Sequence, residues 1–442
     1  MATTNNQIRK NPLPLPASLA RRNKPELNFV KLAASQTATR ELQARILKPG
    51  PREPRIVSSA HGQMKHILLT YPAYANGEYS YKQVYEDLIR QLPATTQFTI
   101  LSHPSVIGDL QAVLDLANAC DRSTIVEAPE HLNFLVWAED PYIVVQDVSI
   151  KPATVFLVEP YSFRRASDAA IAELVAEATH IQSIQSPLYF QGGNVLIGDD
   201  FVLIGADYPE NTKNLIQQSG NIIVPEDTDT DTFVKHLYEK TFDSNRQILY
   251  VGTELPVPQE TQRQISVDTE IWTEVIYAGT GTKQPIFHID MLISLAGRDV
   301  NGKYRLLVGS PAYADQILGR PPVEHAIAEI FDDIANNLQN AGFDVIRNPL
   351  PITYVDYPED KLRLWYFATA NNSLVQIDEN HGNHVWLPTY GHGDWADLAS
   401  IDAENKRIWE ELGFVVHQLT DFHPFAQNLG SVHCIKKYLE RG

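Results

Sequence analysis

From residue 65 onward the chain alternates short apolar runs with amphipathic helical stretches, and several strands fall to each helix. His66-Ile-Leu-Leu-Thr-Tyr71 reads as a buried strand, and residues 81–92 as an amphipathic helix. Further strands are expected at 98–102, 124–126, 142–146, 154–158, 193–197, 201–205, 247–251, 291–295, 304–308, 343–346, 363–367, 374–377, 384–387 and 414–418. Helices are expected at 108–119, 166–178, 229–239, 321–340 and 399–411. A strict one-strand-one-helix alternation would give a doubly wound parallel sheet. The surplus of strands points instead to an α/β fold of mixed sheets. No glycine-rich phosphate loop stands between a strand and a helix, which moves ATP and dinucleotide cofactors down the order of readings.

The first part of the chain differs in kind. Residues 1–56 carry 11 basic and 3 acidic side chains, a net of +8. The whole chain has 36 basic and 54 acidic residues, so the remainder holds 25 and 51, a net of −26. The stretches Asn11-Pro-Leu-Pro-Leu-Pro16 and Lys48-Pro-Gly-Pro-Arg-Glu-Pro54 are not helix interior. Residues 1–64 therefore read as a basic, proline-containing arm and residues 65–442 as the folded domain. The arm is expected to be poorly ordered; packing on the acidic body and a presequence are the other readings. A body this acidic repels phosphate backbones and favours small cations, so nucleic acid is not an expected partner. No apolar run reaches the roughly 18–20 residues that span a bilayer, so neither is a membrane. Two cysteines, Cys120 and Cys434, cannot form a disulfide framework. That fits a reducing, cytoplasmic setting.

Five constellations could carry chemistry. A lone cysteine is more often a small buried hydrophobe than a nucleophile, and Cys120 fits that reading. In Gly430-Ser-Val-His-Cys434-Ile the thiol lies beside His433, Lys436 and Lys437, a basic setting expected to lower its pKa. His288-Ile-Asp290 on a strand would put an imidazole and a carboxylate on one face. Glu139-Asp140-Pro141 offers carboxylates at a strand end. The paired glycines of Gln191-Gly-Gly193-Asn194 allow a close backbone approach or a plain hairpin. His381, His384, His392 and Asp394 are metal-capable types, but their spacing matches no metal motif.

In their order along the chain, Trp-x-x-Asp140, Gly-Gly193-Asn194, His288-x-Asp290, Asn383-x-Val-x-x-Pro and His-Cys434-Ile resemble the guanidino-group-modifying enzyme superfamily. The closest likeness is the branch of agmatine deiminases and bacterial-type peptidylarginine deiminases, and it covers residues 65–442. The resemblance implies a pentein-type α/β propeller, five ββαβ-like units with pseudo-fivefold symmetry around a central site. It implies Cys434 as nucleophile, His288 as general acid/base, and Asp140 and Asp290 as carboxylates gripping a guanidinium. Gln191, Gly193, Asn194 and Asn383 would border the substrate, and no metal or organic cofactor is implied. The implied reaction converts the guanidino group of arginine, peptidylarginine or agmatine to a ureido group plus ammonia, through a covalent thiouronium.

Gln191 stands where the family has an acid, Glu139 where it has Arg, and Lys436 where it has Thr. An amidinotransferase, which shares the covalent step but passes the amidino group to an amine, is the second reading, and Gln191 and Glu139 keep open a third, a pentein that binds guanidino ligands without turnover. Arg164 and Arg165 would hold a substrate carboxylate if they face the cleft, and would otherwise form a solvated turn. The expected partners are a small cationic guanidino compound or an arginine-bearing peptide, with further copies of the chain left open.

Overall fold

The computed structural model describes residues 7–10, 50–76, 81–219, 224–258, 261–276 and 283–442. The expected helix-punctuated strands are present, and the described strands form six sheets. Five of these share one pattern, an antiparallel pair whose second strand is followed by a helical crossover to a parallel third. Ile143–Asp147, Thr154–Glu159 and Gln182–Gln185 form one repeat. Val195–Ile197, Phe201–Gly205 and Gln247–Val251 form the next, and Ile293–Arg298, Tyr304–Ser310 and Asp344–Pro349 another. Leu374–Gln376, His384–Thr389 and Val415–Asp421 follow. In the fifth, the last strand, Lys436–Arg441, pairs antiparallel with Met64–Tyr71, which runs parallel to Gln97–Ser102. The C-terminal strand thus supplies the leading position of the repeat that begins the folded body.

The crossovers are helices because their apolar residues recur on one face. In Lys82–Gln91, for example, Val84, Tyr85, Leu88 and Ile89 are buried. Three apolar clusters hold the repeats together rather than each repeat holding itself. Leu68, Leu101 and Leu439 of one repeat pack with Val144 and Leu157 of the next. Val145 and Val158 of that repeat pack in turn with Val195 and Ile204.

The sixth sheet lies outside the repeats and joins Thr261–Val267, Glu270–Ile276, Leu362–Phe367 and Ile352–Tyr357. Of these only the 362–367 strand was expected. Residues 7–10 dock on its edge. The Asp356 peptide N–H donates to Arg9 O at 2.6 Å, and the Arg9 guanidinium donates to Thr353 Oγ1 and Asp397 Oδ2 at 2.8 and 2.9 Å. This short basic stretch packs on the acidic body; most of the remaining arm lies outside the described residues. The arm boundary at residue 65 needs correction, because Pro54–Ile56 pairs with Ile143–Asp147 as an added strand and Ala60 lies in the main core. Among the described residues no helix is long and apolar enough to cross a membrane.

Candidate active site

Each repeat delivers a short turn two or three residues ahead of its leading strand, and these five turns converge. Cys434 precedes Lys436–Arg441, Asp140 precedes Ile143–Asp147, and Gly193 precedes Val195–Ile197. Asp290 precedes Ile293–Arg298, and Asn372 precedes Leu374–Gln376. Hydrogen bonds link the turns in a closed ring. Glu139 N donates to Cys434 O at 3.1 Å and Gly192 N to Asp140 O at 3.0 Å. Ile289 N donates to Asn194 Oδ1 at 3.0 Å, Asn372 Nδ2 to Asp290 O at 3.5 Å, and Cys434 N to Asn372 Oδ1 at 3.2 Å.

His288 and Asp290 do not sit on a strand. Ile289–Met291 is a 3-10 turn and the strand begins at Ile293, so the two side chains meet through the turn rather than through a two-residue period. Gly192–Asn194 is likewise a 3-10 turn rather than a hairpin. Its glycines are required by space. A Cβ on Gly192 would fall 1.9 Å from Glu139 O. One on Gly193 would fall 2.6 Å from His288 Nδ1, 3.1 Å from Asp290 Oδ2 and 3.3 Å from Asp140 Oδ1. Gly193 therefore leaves open the space on which the imidazole and both carboxylates converge.

The electrostatics of this space follow from burial. His288 is 1% exposed, and its Nε2 lies 2.6 Å from Gln191 Oε1. An amide oxygen only accepts, so Nε2 carries the proton and the Nδ1 lone pair faces the pocket, 3.6 Å from Asp140 Oδ1. Burial lowers the imidazole to about 4, with the Asp140 carboxylate opposing that and Arg165 adding to it. Asp290 is raised well above the usual carboxylate range, first by burial and then by Asp140 and Glu139. Its Oδ2 meets His433 Nδ1 at 2.8 Å and Cys434 Sγ at 3.8 Å.

The basic setting expected to activate Cys434 is not what surrounds it. Lys436 and Lys437 turn away from the thiol, and each Nζ is 2.7 Å from a Glu139 carboxylate oxygen. Burial, followed by the Asp290 and Asp140 carboxylates, raises the Cys434 thiol well above its ordinary value. Glu139, Lys436 and Lys437 thus form one buried triad. Glu139 is held at about 2: burial is the largest influence and acts upward, and the two lysine charges overcome it. Glu139 and Lys436, both outside the pattern that the sequence resembles, are partners in one ion pair.

The remaining candidates divide. Asn194 is buried and bonds Ile289 N and the Gln284 amide, so it braces the His288 turn. Asn383 is a correction: its carbonyl accepts from Val415 N at the start of the 384–389 strand, where parallel pairing uses it. A side chain that meets the thiol beside Asp290 is Asn372, whose Nδ2 donates to Cys434 Sγ at 3.2 Å. Its signal was positional, an Asn two residues ahead of a short strand, as Cys434 and Gly193 are. Arg164 is exposed. Arg165 donates to Asp140 Oδ2 at 2.7 Å, which commits it to a carboxylate of the site. His381, His384 and His392 bond Asp378, His417 and Thr389 respectively. Among the described residues no group of three or more His, Cys, Asp or Glu is placed to hold a metal. Cys120 lies 2.8 Å from Asp115 Oδ1, away from this cluster.

No protein-family model matches the chain, and no curated protein sequence matches it significantly. Solved structures do. An agmatine deiminase from C. jejuni superposes with a TM-score of 0.55 at 14% identity, covering 88% of this chain and 96% of that one. A crystal structure provisionally named a peptidyl-arginine deiminase gives 0.55 at 11% identity, covering 88% of this chain and all of that one. A structure provisionally named an agmatine deiminase gives 0.56 at 13% identity over 88% of this chain and 96% of that one. The chain has the mixed α/β fold of these deiminase structures.

Proposed function

We propose that the chain is a cysteine-dependent deiminase that hydrolyses a guanidino group to a ureido group and ammonia, with its five repeats arranged as a pentein propeller around the ring of turns. One observation carries the reading. Among the described residues, the buried polar atoms His288 Nδ1, Asp140 Oδ1 and Asp290 Oδ1 have no hydrogen-bond partner, and their side chains meet at the space left by Gly193, beside Cys434. Orphaned buried polar groups cost free energy unless a ligand completes them. Two carboxylates and an imidazole lone pair ask for a planar cation with several N–H donors, which is a guanidinium.

The chemistry then follows from charge. In the empty site thiol and imidazole are both neutral. A bound guanidinium favours anions, so it favours the Asp290 carboxylate and assists loss of the Cys434 proton to His288. The thiolate attacks the central carbon. His288 gives its proton to one amino nitrogen, and ammonia leaves as the tetrahedral adduct collapses to a thiouronium. His288 next takes a proton from water, hydroxide adds to the same carbon, and the carbon–sulfur bond breaks to release the ureido product. Asn372 Nδ2 is placed to donate to the thiolate throughout.

The test is to incubate the purified protein with arginine, agmatine and an arginine-bearing peptide, and to assay ureido product and ammonia beside a Cys434→Ala control. Product from at least one substrate, lost in the control, is expected. Product that survives in Cys434→Ala refutes the mechanism.

A further inference from the structure

The site already holds one guanidinium, that of its own Arg165. Arg165 NH2 lies 2.7 Å from Asp140 Oδ2, on a carboxylate that the proposed function assigns to the substrate. The two partners differ in their access to water. The Asp140 side chain is 5% exposed and the Arg165 side chain 33%. Glu139, Lys436, Lys437, His288, Asp290 and His433 are all buried. Among these titratable side chains Arg165 is the one that reaches from the carboxylates to solvent.

Arg165 also has a second partner that does not depend on Asp140. Its Nε is 2.6 Å from Asp168 Oδ2, close enough for an ion pair but without hydrogen-bond alignment. Asp168 is itself fixed, since its Oδ1 accepts from Leu135 N at 2.8 Å. The Arg165 guanidinium further sits over the Phe163 ring at 5.0 Å. A side chain with an alternative anion and an aromatic support can leave Asp140 without becoming an unpaired charge. Asp140 cannot be left bare so easily, because a buried carboxylate without a counter-ion is costly.

We propose that Arg165 is a resident guanidinium: it neutralises Asp140 while the pocket is empty, and a guanidino substrate displaces it toward Asp168 on binding. The inference rests on the proposed function and adds to it the place where substrate enters and the class of group able to do so. Only a cation that replaces the planar N–H pattern of Arg165 at Asp140 regains what the displacement loses. Arg165 is then a competitor for the pocket rather than a carboxylate anchor. The opposite expectation would follow if it held a substrate carboxylate.

Binding of methylguanidinium, which has no carboxylate, separates these cases. The full chain carrying Cys434→Ala, to prevent turnover, is titrated by calorimetry with and without Arg165→Ala. If Arg165 occupies Asp140 about nine-tenths of the time, its removal tightens methylguanidinium binding about tenfold. Asp140→Asn in the Cys434→Ala protein should abolish that binding. Unchanged or weaker binding after Arg165→Ala overturns the resident-guanidinium proposal and leaves the deiminase reading standing. No binding to either protein overturns both. Should Arg165→Ala fail to fold, Arg165→Lys serves, because an ammonium lacks the planar fork; binding no tighter than with Arg165 again refutes the proposal.

Discussion

Replacing Glu139 by Gln removes one negative charge from between two buried lysines while keeping the shape of the side chain. The Lys436 and Lys437 side chains are 1% and 7% exposed, and that of Glu139 5%, so water cannot replace the lost partner. Breaking a buried ion pair on one side costs about 3–5 kcal/mol. The carboxyl itself gives a similar figure. It is held at about 2 against an ordinary 4.5, which at 1.36 kcal/mol per pH unit is about 3 kcal/mol. The sign is that of a depressed carboxylate. The stabilisation is complete above the ordinary value and fades as pH falls from about 4.5 toward 2. Equilibrium urea unfolding should therefore find Glu139→Gln less stable by about 3–5 kcal/mol at pH 7. The difference from the native chain should shrink on acidification through that window. Replacing all three residues with apolar ones of similar size should recover much of the loss. A Glu139→Gln protein within about 1 kcal/mol of the native chain at pH 7 would refute the view that this triad compensates internally.

Other outcomes follow from the same geometry. Gly193→Ala places a methyl group 2.6 Å from His288 Nδ1; activity on any guanidino substrate should fall about 100-fold or more, while circular dichroism shows the fold retained. Gln191→Glu puts a carboxylate against His288 Nε2, so the imidazole pKa should rise and the limb of the pH–rate profile that reports it should shift upward. Asn372→Ala removes the donor to Cys434 Sγ and the acceptor for the His433 and Cys434 peptides. It should lower kcat by about 10- to 1,000-fold with a smaller change in KM, read by steady-state kinetics.

The apolar pattern exposed most of the strands, because the leading and central ones are short apolar runs, as in Ile67 to Leu69 and Val202 to Ile204, but it did not expose their fivefold repetition. The sixth sheet was harder to read. Thr261–Val267 is mostly exposed and polar, and the buried strand Ile352–Tyr357 carries Asp356, satisfied by Arg363 from the neighbouring strand. A charge paired across strands looks like a loop residue when only its own segment is visible. Lys436 and Lys437 misled for the same reason, since their partner lies nearly 300 residues away. Cys434, His288, Asp140 and Asp290 were singled out by residue type and order, and the structure brings them to converging turns. Asn372 was not, because the cue that marks it is its position within a repeat, and the repeats do not share visible sequence.

The most direct measurement is an acid quench of the protein during turnover of a guanidino substrate, followed by peptide mapping by mass spectrometry. If Cys434 is the nucleophile, the peptide containing it gains the mass of the substrate less ammonia, and the adduct disappears as ureido product forms. Ureido product formed with Cys434 unmodified at every time point, or an adduct on another residue, would contradict the covalent role of Cys434.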